Sequence, residues 1–133
     1  MTARQIALDT QPRRLQRRRT KGWRAPDGAV YVGRPTRFAN PARIIRASNG
    51  LIVQWGSDGG SVGVWPNEAE ARCYATEAFR VWINQPGQAD TLLLFRALLH
   101  GRDLTCWCPL PAPSQPDHCH AAVLLELAND AGQ

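Results

Sequence analysis

Three of the four cysteines and two of the three histidines fall within the 15 residues from Cys106 to His120. They form Cys106-Trp107-Cys108 and, after a proline-rich stretch, His118-Cys119-His120. Thiolate and imidazole are the groups that perform nucleophilic chemistry or hold a soft metal ion near neutral pH. Three readings are open. Cys106, Cys108 and Cys119, with His118 or His120, could ligate zinc. The spacing argues against it, since one residue separates the first two cysteines where structural zinc sites favour roughly two to four. Alternatively, Cys119 is a nucleophile with His120 as its general base. In the third reading the thiols pack as small buried groups, as cysteine often does. Cys73 has no such neighbours and reads as packing.

These groups need elements to hold them. Residues 104–107 read as a strand, on which i and i+2 share a face. Cys106 and Cys108 then point one way and Trp107 the other. The four prolines between Pro109 and Pro116 demand a loop. Asp117 predicts the cap of a helix over residues 118–129, with His118, Cys119 and His120 in its first turn. Free N–H groups and the helix dipole there would favour a Cys119 thiolate.

A second segment, Gly33-Arg34-Pro35-Thr36-Arg37-Phe38-Ala39-Asn40-Pro41, follows an apolar strand at 29–32. Arg34 and Arg37 offer planar forks for phosphate or carboxylate. Asn40 can bind a base, a sugar or a backbone turn. The segment lacks the Gly-Lys-Ser/Thr ending of a nucleotide-hydrolase phosphate loop. A third feature is electrostatic. Residues 13–24 carry seven of the 16 basic residues and no acid, leaving nine bases against 11 acids elsewhere, a balance of −2. The net charge of +5 therefore belongs to one segment, which reads as a phosphate-facing arm or a solvated edge. Trp23 closes it and could stack on a base.

The remaining pattern supplies the frame. Leu15 to Arg19 reads as a short edge strand, and Ala25-Pro26-Asp27-Gly28 is a turn. Ala42–Ala47 and 51–55 flank Ser48-Asn49-Gly50 as a hairpin. A Gly/Ser/Asp loop and a short apolar piece, 62–65, follow. Asn67 and Glu70 form a capping box before a helical pattern that Pro86-Gly87 stops. Asp90 predicts the cap of a helix over 91–100, ended by Gly101. The expected fold is a small α/β domain over 13–133: a mixed sheet with a central parallel strand pair (29–32 and 104–107), an inserted β-hairpin and three helices. Residues 1–12 read as a flexible N-terminal tail.

Several of these motifs together resemble the family called domain of unknown function 4326, which occurs in bacteria and their phages. They are residues 17–24, Tyr31-Val32-Gly33-Arg34-Pro35 with Asn40-Pro41, Gly101-Arg102-Asp103-Leu104-Thr105-Cys106-Trp107-Cys108, and Cys119-His120 with a Leu-rich helix. The likeness runs from about Arg13 to Asn129. Members usually have Trp-Gly before the Asn-Pro and an aromatic after it, where this chain has Phe38-Ala39 and Ala42. The stretch from 111 to 117 is also longer than usual. The Cys and Cys-His ending is similar to that of domain of unknown function 488. Neither resemblance implies an established activity.

Bulk properties exclude some classes. At 133 residues, 44% apolar and 20% charged, the chain suits one soluble domain with a core of its own. It has no apolar run near the ~20 residues of a membrane span and no secretory leader pattern. The expected compartment is the cytoplasm, where thiols stay reduced, and no membrane partner is expected. The leading expectation is a protein engaging a nucleotide or nucleic acid. Trp23, Arg34, Arg37 and Asn40 would bind it, beside a Cys106, Cys108, Cys119 and His120 centre that is reactive or zinc-binding. The rival is a non-catalytic, zinc-stapled nucleic-acid-binding module that presents residues 13–24 to phosphates.

Overall fold

Two three-stranded sheets and three helices organise the chain. The computed structural model describes residues 11–56 and 59–130. In order these give β1 (Arg14–Gln16), β2 (Val30–Tyr31), β3 (Ala42–Ala47), β4 (Gly50–Trp55) and β5 (Ser61–Trp65). Then come α1 (Glu68–Ile83), a 3-10 turn (Pro86–Gln88), α2 (Ala89–Leu99), β6 (Leu104–Cys106) and α3 (His120–Asn129). The tail expected over 1–12 lies almost wholly outside the described residues.

The first sheet is parallel, in the order β1-β6-β2. Leu104 stands between Arg14 and Val30, and Thr105 between Leu15 and Tyr31. All three residues of β6 are buried, as an interior parallel strand requires. The ladder continues past the strand ends through Val32 N to Thr105 O, 3.0 Å, and Arg17 N to Cys106 O, 2.9 Å. The second sheet, β3-β4-β5, is antiparallel. Its hairpin pairs Ala42 with Trp55 and Ala47 with Gly50, leaving Ser48-Asn49 as the turn. Gly50 has φ +137°, a conformation that disfavours a side chain.

Helix α1 joins the two halves. Asn67 caps it, accepting from Glu70 N at 2.9 Å. Ala71, Ala75 and the half-buried Ala78 pack with Ala42, Leu51 and Val53 of the antiparallel sheet. Their small size lets the helix lie close. Further along, Phe79 and Ile83 join the other core, with Phe95 and Leu99 of α2, Leu104 of β6, and Val123 and Leu124 of α3. Each such side chain, fully buried, stabilises the fold by about 1.5–3 kcal/mol.

Two helix starts differ from expectation. Asp90 does not cap α2; it lies within the first turn, where its charge still complements the dipole. Asp117 does not cap α3. The helix begins at His120, two residues later than expected, so the cap residue is Cys119 and His118 lies before the helix; Asp117 instead pairs with Arg14. Among the described residues, no helix is long and apolar enough to cross a membrane.

Candidate metal centre

Because β2 and β6 are parallel, the loops that follow them leave at the same edge. There they line one cleft of about 300 Å³. Gly33, Arg34 and Asn40 come from the loop after β2. Cys106, Trp107 and Cys108 come from the end of β6, and His118, Cys119 and His120 from the start of α3. Arg72 and Thr76 of α1 close the far side. Gly33 is buried, and a Cβ there would run into the Tyr31 ring. A side chain there would have to push the Tyr31 ring aside.

The thiols of Cys106, Cys108 and Cys119 lie within 4.8 Å of one another, and those of Cys106 and Cys108 are 3.9 Å apart. Sulfurs around a tetrahedral ion with bonds of about 2.3 Å sit about 3.8 Å apart. The three cysteines could thus hold a metal ion with small adjustments. All are free thiols. Their charges are strongly linked. Hydrogen bonds from Cys108 and Cys119 hold the Cys106 thiol far below its ordinary pKa. The same contact with Cys106 pushes Cys108 up. Cys119 is pushed up by Cys106 and Cys108 together. The three thiols titrate as one linked set. Contact with Cys106 and Cys108 opposes a Cys119 thiolate, where the helix start alone would favour one. Cys119 is also only 2% exposed, a poor position for a nucleophile.

His120 stands outside the cysteine group. Its Nε2 meets Val32 O at 2.8 Å, and its ring lies edge-on to Phe79 at 5.5 Å. Burial lowers its pKa and keeps it neutral. It ties the start of α3 to the end of β2. His118 is half-buried and lines the cleft.

Arg14 holds the cysteine-bearing segments together. Its guanidinium makes a two-pronged pair with Asp117, Nε to Oδ2 at 3.0 Å and Nη2 to Oδ1 at 2.9 Å. It also donates to Cys108 O at 2.8 Å and Pro109 O at 2.9 Å. Burial opposes its charge, but the bond to Asp117 and the nearby thiols raise its pKa nonetheless. One side chain from β1 therefore joins the Cys108 loop to the residues just before Cys119.

The other expected ligand-binding residues divide. Arg34 lines the cleft and donates through Nη2 to Asn40 O at 2.9 Å. Asn40 is buried, and its amide is committed to backbone, donating to Ala75 O and accepting from Ala42 N. It braces the loop against α1. Arg37 is exposed and outside the cleft wall. Trp23 is half-buried, with the Arg17 guanidinium 5.6 Å from its ring. Arg17 also lies over Tyr31 at 4.7 Å and Trp107 at 5.4 Å. The basic block is thus not uniform: Arg14 and Arg17 are packed, while Arg18, Arg19, Lys21 and Arg24 are exposed. Sequence reasoning missed Arg14, Tyr31, Arg72 and Thr76. Nothing in the sequence set Arg14 apart from its basic neighbours.

No curated protein and no solved structure matches the chain. One family model does, over residues 15–130. That span includes the loop after β2, all three clustered cysteines and α3. The chain belongs to the family described as domain of unknown function (DUF4326).

Proposed function

We propose that the protein holds a zinc ion on Cys106, Cys108 and Cys119 and engages a phosphate-bearing ligand, a nucleotide or nucleic acid, in the adjoining cleft. The observation that carries this reading is convergence. Three thiols from two separate segments lie within 4.8 Å on the wall of a cleft that also presents Arg34 and Arg72. An all-sulfur set favours a soft or borderline ion, of which zinc is the commonest non-redox case. Three thiolates around a divalent ion leave a net charge of about −1. Arg14, beside Cys119 and Cys108, and Arg34, on the cleft wall, are the cations placed to offset it.

Three protein ligands leave a fourth position, which a water, the ligand or His118 would fill from the cleft side. An ion with such an open position polarises oxygen atoms and lowers the pKa of bound water. The guanidinium forks account for the phosphate. The test is to offer a panel of nucleotides and short nucleic acids to zinc-loaded protein. Turnover that depends on zinc identifies an enzyme. Salt-dependent binding without turnover identifies a binding module. Neither binding nor turnover would overturn the phosphate-ligand reading.

A further inference from the structure

Trp107 lies between two of the clustered cysteines, yet it is 40% exposed. It lines the mouth of the cleft with Tyr31. The Arg17 and Arg19 guanidinium groups stand over its ring at 5.4 and 4.7 Å. Arg17 is shared with Tyr31 and Trp23. Indole, phenol and guanidinium groups thus cluster at the edge that leads into the cleft. The exposed part of Trp107 offers a flat face on which a base of any identity can stack. The same basic segment that supplies Arg17 and Arg19 also carries the exposed Arg18, Lys21 and Arg24. Among the described residues, no carboxylate pairs with any of these three or with Arg19. The chain outside residues 13–24 carries a balance of −2, so the net positive charge belongs to this segment.

We infer that this edge binds single-stranded nucleic acid and delivers one nucleotide of it into the thiol-lined cleft. The inference rests on the proposed function and names its ligand. A single strand fits better than a duplex for two reasons. Bases stacked inside a duplex cannot reach the Trp107 face. A cleft of about 300 Å³ admits a nucleotide only after it leaves the stack. A free nucleotide would fill the cleft but could not span the arginines.

The test uses zinc-loaded protein and a short fluorescein-labelled oligothymidylate strand, followed by fluorescence anisotropy. The strand should bind at least about tenfold tighter than a duplex of equal length. Trp107→Ala should weaken strand binding about tenfold, the loss of one stacked base, with zinc content and the slope of affinity against salt unchanged. Trp107→Phe should stay within about threefold of the parent, since the stacking face persists. Arg18→Ala with Arg19→Ala should flatten the log–log salt slope by about 1.4. These last two variants keep the test decisive if Trp107→Ala folds poorly. Equal binding of strand and duplex, or an unchanged salt slope in the arginine variant, overturns the inference. So does a well-folded Trp107→Ala protein that binds like the parent. A zinc-loaded protein that binds thymidine monophosphate but no strand overturns this inference and leaves the proposed function standing.

Discussion

Replacing Asp117 with Asn leaves Arg14 charged, buried and without its counter-charge. The Arg14 side chain is 5% exposed and that of Asp117 19%, so solvent screens the pair only in part. Removing one partner of a buried pair costs about 3–5 kcal/mol. Arg14 keeps its bonds to Cys108 O and Pro109 O, and water can reach the Asp117 side. The loss should therefore fall at the lower end, about 3 kcal/mol, a fall in Tm of roughly 10 °C for a domain of this size. Urea unfolding followed by tryptophan fluorescence measures it. Because the pair joins the Cys108 loop to the approach to Cys119, zinc affinity should also fall about tenfold or more, read by chelator competition. The double variant Arg14→Met/Asp117→Leu removes both charges and should be more stable than Asp117→Asn alone. A loss under about 1 kcal/mol with unchanged zinc affinity would refute the clamp.

Three further substitutions probe other parts of the fold. Leu124, 1% exposed among Phe79, Leu99 and Leu104, should cost about 2–5 kcal/mol as Leu124→Ala; a calorimetric loss near zero would contradict that core. Glu126→Gln removes the charge from the pair with Arg80, whose partners are 62% and 39% exposed, and should change stability by no more than about 1 kcal/mol. A larger effect in the same assay would mean that water does not screen the pair. Arg34→Gln should weaken nucleoside monophosphate binding about tenfold, the loss of one charge-assisted contact, with the melting temperature little changed. Unchanged affinity by calorimetry would remove Arg34 from the ligand site.

The parts of the fold that rest on local chemistry were legible in the sequence. Ser48-Asn49-Gly50 between two β-prone runs announces the hairpin, and Asn67 before Glu70 announces α1, because turn and cap preferences act within a few residues. The parallel pairing of β2 with β6 was readable from topology, since a helical crossover joins them. What escaped was set by partners distant in the chain. Asp117 looks like a cap beside the helix, but its partner is Arg14, 103 residues away. Arg14 itself is hidden in a run of like residues, most of them exposed, and its burial is set by Asp117 and the Cys108 loop. Asn40 carries a ligand-binding group, yet Ala42 and Ala75 claim it. The linkage among the thiols is of the same kind. A helix start acts on one cysteine, whereas contact among three thiols ties their ionisation together.

The central claim is that three converging cysteines bind zinc, and metal content tests it most directly. Protein purified without chelator should carry about one equivalent of zinc per chain. Chelation should lower its Tm, because the binding energy of the site is also folding energy, and should expose the thiols of Cys106, Cys108 and Cys119 to a titrant. Metal-free protein whose four thiols all titrate after unfolding, and whose Tm is indifferent to both zinc and chelator, would contradict the account.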